Sequence, residues 1–135
     1  MTRLLRSESL AVRTESDIPL VRQLVRAHAT EQGFGAFDMT RIVTAASELS
    51  RNTLIHGGGG TMLLETLADN ERRGVRLTFE DQGPGIADLA QAMAGGFSTK
   101  GGMGLGLSGS KRLVTEFEVA TGVGEGTRVT VTQWK

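Results

Sequence analysis

The sequence contains no cysteine, which excludes disulfide bonds, thiol catalysis and thiolate metal sites. Aromatic residues are few, with five Phe, one Trp and no Tyr, and fifteen basic residues balance fifteen acidic ones. Without an excess of positive charge there is no compositional case for nucleic-acid binding, so we expect no nucleic-acid partner. No apolar run approaches the roughly 20 residues of a membrane-spanning helix. We therefore expect no membrane partner and a cytoplasmic location, which the lack of cysteine also favours.

Glycine is the residue that the chain has in excess. Nineteen of the 135 residues are Gly, about twice the roughly 7% of average proteins. Seven of these glycines lie between Gly95 and Gly109, a density that neither a packed helix nor a strand tolerates at normal cost. A chain of this length is expected to form one domain covering residues 1–135.

Hydrophobic patterning predicts alternating helices and strands. The predicted helices cover residues 17–32, 39–56, 87–94 and 110–117, and the predicted strands cover residues 4–13, 61–67, 75–80, 118–121 and 127–134. Ser16 and Asp38 are the predicted N-caps of the first two helices. A glycine-rich loop is predicted over residues 95–109, and a flexible connection over residues 57–60. This order predicts an α+β fold with a mixed, mostly antiparallel sheet and helices on one face.

Glu48 and Asn52 lie four residues apart on the second predicted helix. At this spacing the two side chains project side by side, so a carboxylate and a carboxamide oxygen converge on one small volume. A base and a metal ligand could share that volume. The same spacing is common on solvated helix faces, so it does not identify a site by itself.

The turn from Asp81 to Gly85 follows the clearest predicted strand. Its composition is typical of a tight turn. A functional interpretation is more specific, because an acidic side chain at the end of a strand can accept a hydrogen bond from an exocyclic amine. The flanking glycines would let a flat base lie against the backbone. Such a site would accept adenine and reject guanine. Thr127 is either an ordinary strand residue or a second support for the base.

The glycine-rich loop matches one familiar motif by letters and comes close to another, and its context excludes both. Gly104–Gly109 fits the dinucleotide-binding pattern G-x-G-x-x-G, but no strand precedes it. A Walker A loop ends in Gly-Lys-Ser/Thr, whereas Gly109-Ser110-Lys111 has the reverse order. A glycine loop that opens a helix still presents free backbone N–H groups and a positive dipole end, which favours an anion such as phosphate.

Taken together, the motifs resemble those of the GHKL ATPase superfamily. The matching stretches are Glu48-x-x-x-Asn52 for the N box, Asp81-x-Gly83-x-Gly85 for the first glycine box, Gly102-x-Gly104-x-Gly106 for the second, and Gly126-Thr127 for the closing threonine motif. The resemblance covers nearly the whole chain. It implies a Bergerat-type α/β sandwich that binds ATP between the central helix and a lid over residues 95–109.

Within that superfamily the chain is most similar to the switch serine/threonine kinases of bacterial stressosome signalling. The stretches that carry this similarity cover residues 47–52, 80–86, 96–107, 111–113 and 124–134. Kinases of that group phosphorylate Ser or Thr on STAS-domain scaffold or antagonist proteins and, once released, bind and activate a PP2C-type phosphatase. An anti-sigma factor kinase would carry the same fold and motifs. A nucleotide-gated binding module without essential kinase activity is the alternative from a different functional class.

The resemblance implies a role for each matching residue. Glu48 would be the general base, and Asn52 would supply the one protein oxygen to Mg²⁺, a cation that suits such sparse ligation. Asp81 would read the adenine of ATP. The other residues expected to contact ATP are Gly83, Gly85, Ile86, Ser98, Thr99, Lys100, Gly102, Met103, Gly104, Leu105, Gly106, Leu107 and Thr127. Arg51 and Lys100 are candidates for neutralising the γ-phosphate, and both are equally compatible with exposed basic residues.

Overall fold

The computed structural model describes residues 1–86 and 106–135. The elements within these ranges are β1 (Thr2–Val12), α1 (Asp17–Glu31), α2 (Ala36–Ile55), β2 (Gly60–Asp69), β3 (Arg72–Asp81), α3 (Gly106–Leu113), β4 (Glu116–Thr121) and β5 (Thr127–Trp134). The helix predicted over residues 87–94 and most of the predicted loop lie outside the described residues. Within the described ranges, no helix has the length and apolar character needed to cross a membrane.

The five strands form one sheet in the order β1-β2-β3-β5-β4, and the four neighbouring pairs are antiparallel. Side chains alternate between the two faces of a strand. On β3, Val75, Leu77 and Phe79 are buried in a core to which all three helices contribute, whereas Arg76 and Thr78 lie on the open face. The expected α+β class is confirmed, with helices on one face, but the described sheet is antiparallel at all four pairs and not mixed.

The start of α2 differs from the prediction. The helix begins at Ala36 with Gly35 at the N-cap position, three residues before the predicted start at Met39. Asp38 therefore lies inside the first turn, and its predicted role as N-cap is wrong. Its Oδ1 atom instead accepts a hydrogen bond of 3.1 Å from the Gln133 side chain, which ties the helix to β5.

Ser16 occupies the N-cap position of α1, as predicted. The Ser16 side chain makes no capping hydrogen bond there. The Asp17 carboxylate instead accepts hydrogen bonds from the backbone N–H groups of Arg13 and Thr14, at 2.9 and 3.0 Å. These bonds lower the pKa of Asp17 and fix the chain between β1 and α1.

The third described helix also lies earlier than predicted. It covers Gly106–Leu113, whereas the sequence predicted residues 110–117, and Phe117 belongs to β4. Two glycines within its eight residues oppose helix formation. Packing offsets that cost, because Leu107 is buried in the core and Arg41 of α2 binds the helix at its C-terminal end. The Arg41 guanidinium donates hydrogen bonds of 3.3 and 3.4 Å to the carbonyls of Arg112 and Leu113.

Candidate active site

The C-terminal half of α2 carries Glu48 and Asn52 one turn apart. Ala45, Ala46 and Leu49 are buried in the same stretch, and this fixes the rotation of the helix about its axis. Glu48 is only 8% exposed, and Asn52 is partly buried. Among residues 1–86 and 106–135, neither side chain has a hydrogen-bond or ion-pair partner. A polar side chain in this position is satisfied by a ligand or by water, so the pair is suited to binding or chemistry.

The end of the sheet beside the C-terminus of α2 carries a row of paired residues. Asp81 on β3 lies opposite Gly60 on β2 and Thr127 on β5, and Thr127 lies opposite Thr121 on β4. Residues opposite each other in an antiparallel pair have side chains on the same face. Asp81 follows the buried Phe79 by two positions, so the row lies on the helix face of the sheet.

Gly57 connects the helix to this row. It follows His56, the C-cap residue of α2, and a Cβ atom added to it would overlap the carboxyl group of Asp81. A Cβ atom on Gly83 would lie 2.8 Å from the Cα of Gly57, and one on Gly60 would collide with the Glu80 carbonyl oxygen. The sequence predicted a flexible connection over residues 57–60, whereas Gly60 is already the first residue of β2. Gly57, Gly60 and Gly83 allow close contact between backbone segments, and the contact at Gly57 places Asp81 near the end of α2.

The Asp81 carboxylate uses one oxygen within the protein. Its Oδ1 atom accepts a hydrogen bond of 2.9 Å from the backbone N–H of Gly83, and its Oδ2 atom has no hydrogen-bond partner among the described residues. Gly85 has a φ of +77°, and a Cβ atom there would meet the carbonyl oxygen of Gly122. A free carboxylate oxygen beside backbone without side chains fits a flat base that carries an exocyclic amine.

Comparison with known proteins identifies the family. Residues 37–135 match the family described as histidine kinase-, DNA gyrase B-, and HSP90-like ATPase. The chain belongs to this ATPase family. It is also 47% identical over 123 residues to the serine/threonine-protein kinase RsbT of Bacillus subtilis (strain 168). The aligned residues cover 91% of this chain and 92% of that protein. The predicted superfamily and the predicted enzyme class, a protein serine/threonine kinase, are confirmed at the level of the family.

A solved structure has the same fold as this ATPase family member. The crystal structure of the RsbU and RsbW domains of a protein from Mycobacterium tuberculosis superposes with a TM-score of 0.67 at 24% sequence identity. The similarity covers 96% of this chain and 32% of that chain. At this identity the likeness shows the fold alone, and it agrees with the predicted GHKL architecture.

Some of the residues predicted to contact ATP lie within the described ranges. Gly106 is the first residue of α3, so it lies at a helix N-terminus as an anion site requires. Leu107 is buried in the core, so its side chain packs against protein, and its backbone is what remains for a ligand. The backbone N–H of Ile86 donates a hydrogen bond to Thr121. Seven further predicted contacts lie outside the described residues: Ser98, Thr99, Lys100, Gly102, Met103, Gly104 and Leu105.

Sequence reasoning missed two residues of the candidate site in this ATPase. Gly57 was readable only as part of a glycine run, because its contact with Asp81 joins residues distant in the sequence. Thr121 carried a usable signal, since a hairpin turning at residues 122–126 places it opposite Thr127. Its hydroxyl lies 3.0 Å from that of Thr127.

Proposed function

We propose that this chain is an ATP-dependent serine/threonine protein kinase of the RsbT switch type. The observation that carries the proposal is the position of Glu48 and Asn52 on α2, two residues after whose end Gly57 lies against Asp81. The candidate general base Glu48, the candidate metal ligand Asn52 and the candidate adenine-binding carboxylate of Asp81 thus belong to one packed unit. The 47% identity to a protein named as a serine/threonine kinase supports the same activity.

Glu48 accepts the proton of the incoming Ser or Thr hydroxyl in the proposed reaction, as that oxygen attacks the γ-phosphate of ATP. Its low exposure and the absence of a protein partner in the described ranges leave the carboxylate available to a substrate hydroxyl. Asn52 offers its carboxamide oxygen to Mg²⁺, whose charge offsets that of the phosphates when it is bound.

Asp81 selects adenine in the proposed complex. Its free Oδ2 atom accepts a hydrogen bond from the exocyclic amine, whereas guanine would bring a carbonyl oxygen to the same place and leave both acceptors unpaired. Gly57, Gly83 and Gly85 allow the backbone around Asp81 to pack closely, which holds this part of the site in place. For the phosphates, we propose the N-terminus of α3 together with the N–H groups of the second glycine motif, which closes the site against water.

The proposed substrates are STAS-domain scaffold or antagonist proteins, which the kinase phosphorylates on Ser or Thr. The proposed second partner is a PP2C-type phosphatase, which the released kinase binds and activates. Both partners follow from the similarity of the chain to RsbT and its group, and the match over 91% of the chain supports extending them to this protein.

Calorimetric titration of ATP with and without Mg²⁺ tests the nucleotide site. We expect wild-type protein to bind ATP more tightly when Mg²⁺ is present, and Asn52→Ala to lose that magnesium dependence because the one protein ligand is gone. Thr40→Ala, an exposed position near the start of the same helix, is the matched control and should behave as wild type. A wild-type protein that binds no ATP in either condition would contradict the proposal.

Transfer of labelled γ-phosphate to a purified STAS-domain protein tests the activity itself. We expect phosphate on a Ser or Thr of the acceptor and ADP as the second product. ATP binding without any transfer would contradict the kinase proposal and favour a nucleotide-gated binding protein.

A further inference from the structure

We infer that Thr121 is a positioning residue that sets the base specificity of the site, and this inference rests on the proposed ATP-dependent function. Thr121 is the last residue of β4 and is partly buried. Its hydroxyl oxygen lies 2.9 Å from the backbone nitrogen of Ile86, 3.1 Å from the carbonyl oxygen of Gly126 and 3.0 Å from the hydroxyl oxygen of Thr127. One side chain thus joins the turn after Asp81 to both ends of the β4–β5 connection.

The three partners determine where the Thr121 proton lies. A threonine hydroxyl has one proton to donate and two lone pairs that accept. The Ile86 N–H group can only donate, and the Gly126 carbonyl can only accept. When both are satisfied, the Thr121 proton points to Gly126 and one lone pair receives Ile86. The remaining lone pair faces Thr127, which therefore donates its own proton to Thr121.

This arrangement changes what Thr127 presents to a ligand. With its proton committed to Thr121, the Thr127 oxygen has only lone pairs left for the pocket. Asp81 lies opposite Thr127 in the β3–β5 pair, and its free Oδ2 atom is also an acceptor. Two neighbouring acceptors match the amine of adenine. A Thr127 proton that was free to rotate outward could instead donate to the carbonyl of guanine, and discrimination would weaken.

Calorimetric dissociation constants for ATP and GTP, measured on the full chain, test the inference. Thr121→Val keeps the shape of the side chain and removes the hydroxyl. We expect it to weaken ATP binding about tenfold and to reduce the preference for ATP over GTP by about the same factor. Thr121→Ser retains the hydroxyl and should keep the wild-type preference. Thr130→Val, the same substitution on the open face of β5, is the control and should leave both constants unchanged.

The ratio of the two constants separates positioning from support of the fold. A merely structural role of Thr121 would lower the melting temperature and weaken ATP and GTP equally, so an unchanged ratio in Thr121→Val overturns the inference. If the valine variant does not fold, a lost preference in Thr121→Ser overturns it. Thr127→Val removes the Thr127 proton that Thr121→Val would set free. Adding Thr121→Val to Thr127→Val should therefore not change the ratio of the two constants further. Wild-type protein without ATP binding would refute the proposed function, whereas ATP binding with an unchanged ratio would refute the role of Thr121 alone.

Discussion

The two halves of the proposed site are built in opposite ways. At the sheet end, Asp81, Thr127 and Thr121 are held by hydrogen bonds and by backbone that packs closely at Gly57. On α2, the Glu48 and Asn52 side chains contact no polar partner among the described residues. Recognition of a rigid base requires acceptors fixed in advance, whereas proton transfer and metal ligation require groups that are free for the substrate. Substitutions at the sheet end and at Glu48 should therefore separate base recognition from chemistry.

The largest expected effect is that of Glu48→Gln on phosphoryl transfer. Glutamine has the shape of glutamate but cannot take the proton of the incoming hydroxyl, so we expect the single-turnover rate to fall about 10²- to 10⁴-fold. ATP affinity by calorimetry should stay within about threefold of wild type, since Glu48 is proposed to act on the incoming hydroxyl and not to bind the nucleotide. Glu15→Gln, at an exposed position between β1 and α1, is the control and should change neither quantity. An equal loss of affinity and rate would place Glu48 in the binding half and break the comparison.

The next effect is that of Gly57→Ala on nucleotide affinity. The backbone of Gly57 is not in the left-handed region, so alanine brings no backbone strain, but its methyl group would overlap the Asp81 carboxyl group. We expect displacement of Asp81 to weaken ATP binding up to about 10²-fold, as for other misplaced binding groups. Gly35→Ala is the matched control, because a Cβ atom there meets nothing within 4 Å. Unchanged affinity in Gly57→Ala would show that this contact does not hold Asp81 in place.

The smallest effect on the site is expected from Gly74→Ala, which overpacks the opposite end of the sheet. A Cβ atom on Gly74 would lie 2.7 Å from the Trp134 ring. This ring is held in place by the Arg72 guanidinium stacked over it and by its hydrogen bond to the Glu116 carboxylate. We expect a loss of about 1–3 kcal/mol in the free energy of unfolding, measured in urea. ATP affinity should be unchanged, because Gly74 and Trp134 pair far along the strands from Asp81. A loss of affinity here would mean that binding tracks general stability, and the contrast with Gly57 would then disappear.

Two elements that carry the proposed site could be predicted, because local pattern and burial coincide in them. The alternation of Val75, Leu77 and Phe79 specifies β3, which ends at Asp81. The helical spacing of Ile42, Ala46 and Leu49 likewise specifies α2. Each prediction needed only residues that are neighbours in the sequence, which is why it succeeded.

Other parts depended on contacts between distant residues. Asp is a common N-cap residue, but Asp38 lies inside the first turn of α2, and its carboxylate accepts a hydrogen bond from Gln133. Glycine has the same letter whether it makes a chain flexible or lets two segments touch, so Gly57 could not be distinguished from its neighbours. The early start of α3 at Gly106 opposes helix propensity, and the tertiary contacts of Leu107 and Arg41 determine it.

The register of β5 determines which of its side chains lies in the pocket. Val129 and Val131 are buried on the helix face, and Thr127 reaches the pocket because it lies two residues before Val129. A slip of one residue would place Arg128 in that position and turn both valines toward the open face. Each exposed valine would lose about 1.5 kcal/mol or more of burial. The apolar core thus determines which polar group reaches the pocket, because the alternative register would expose both valines.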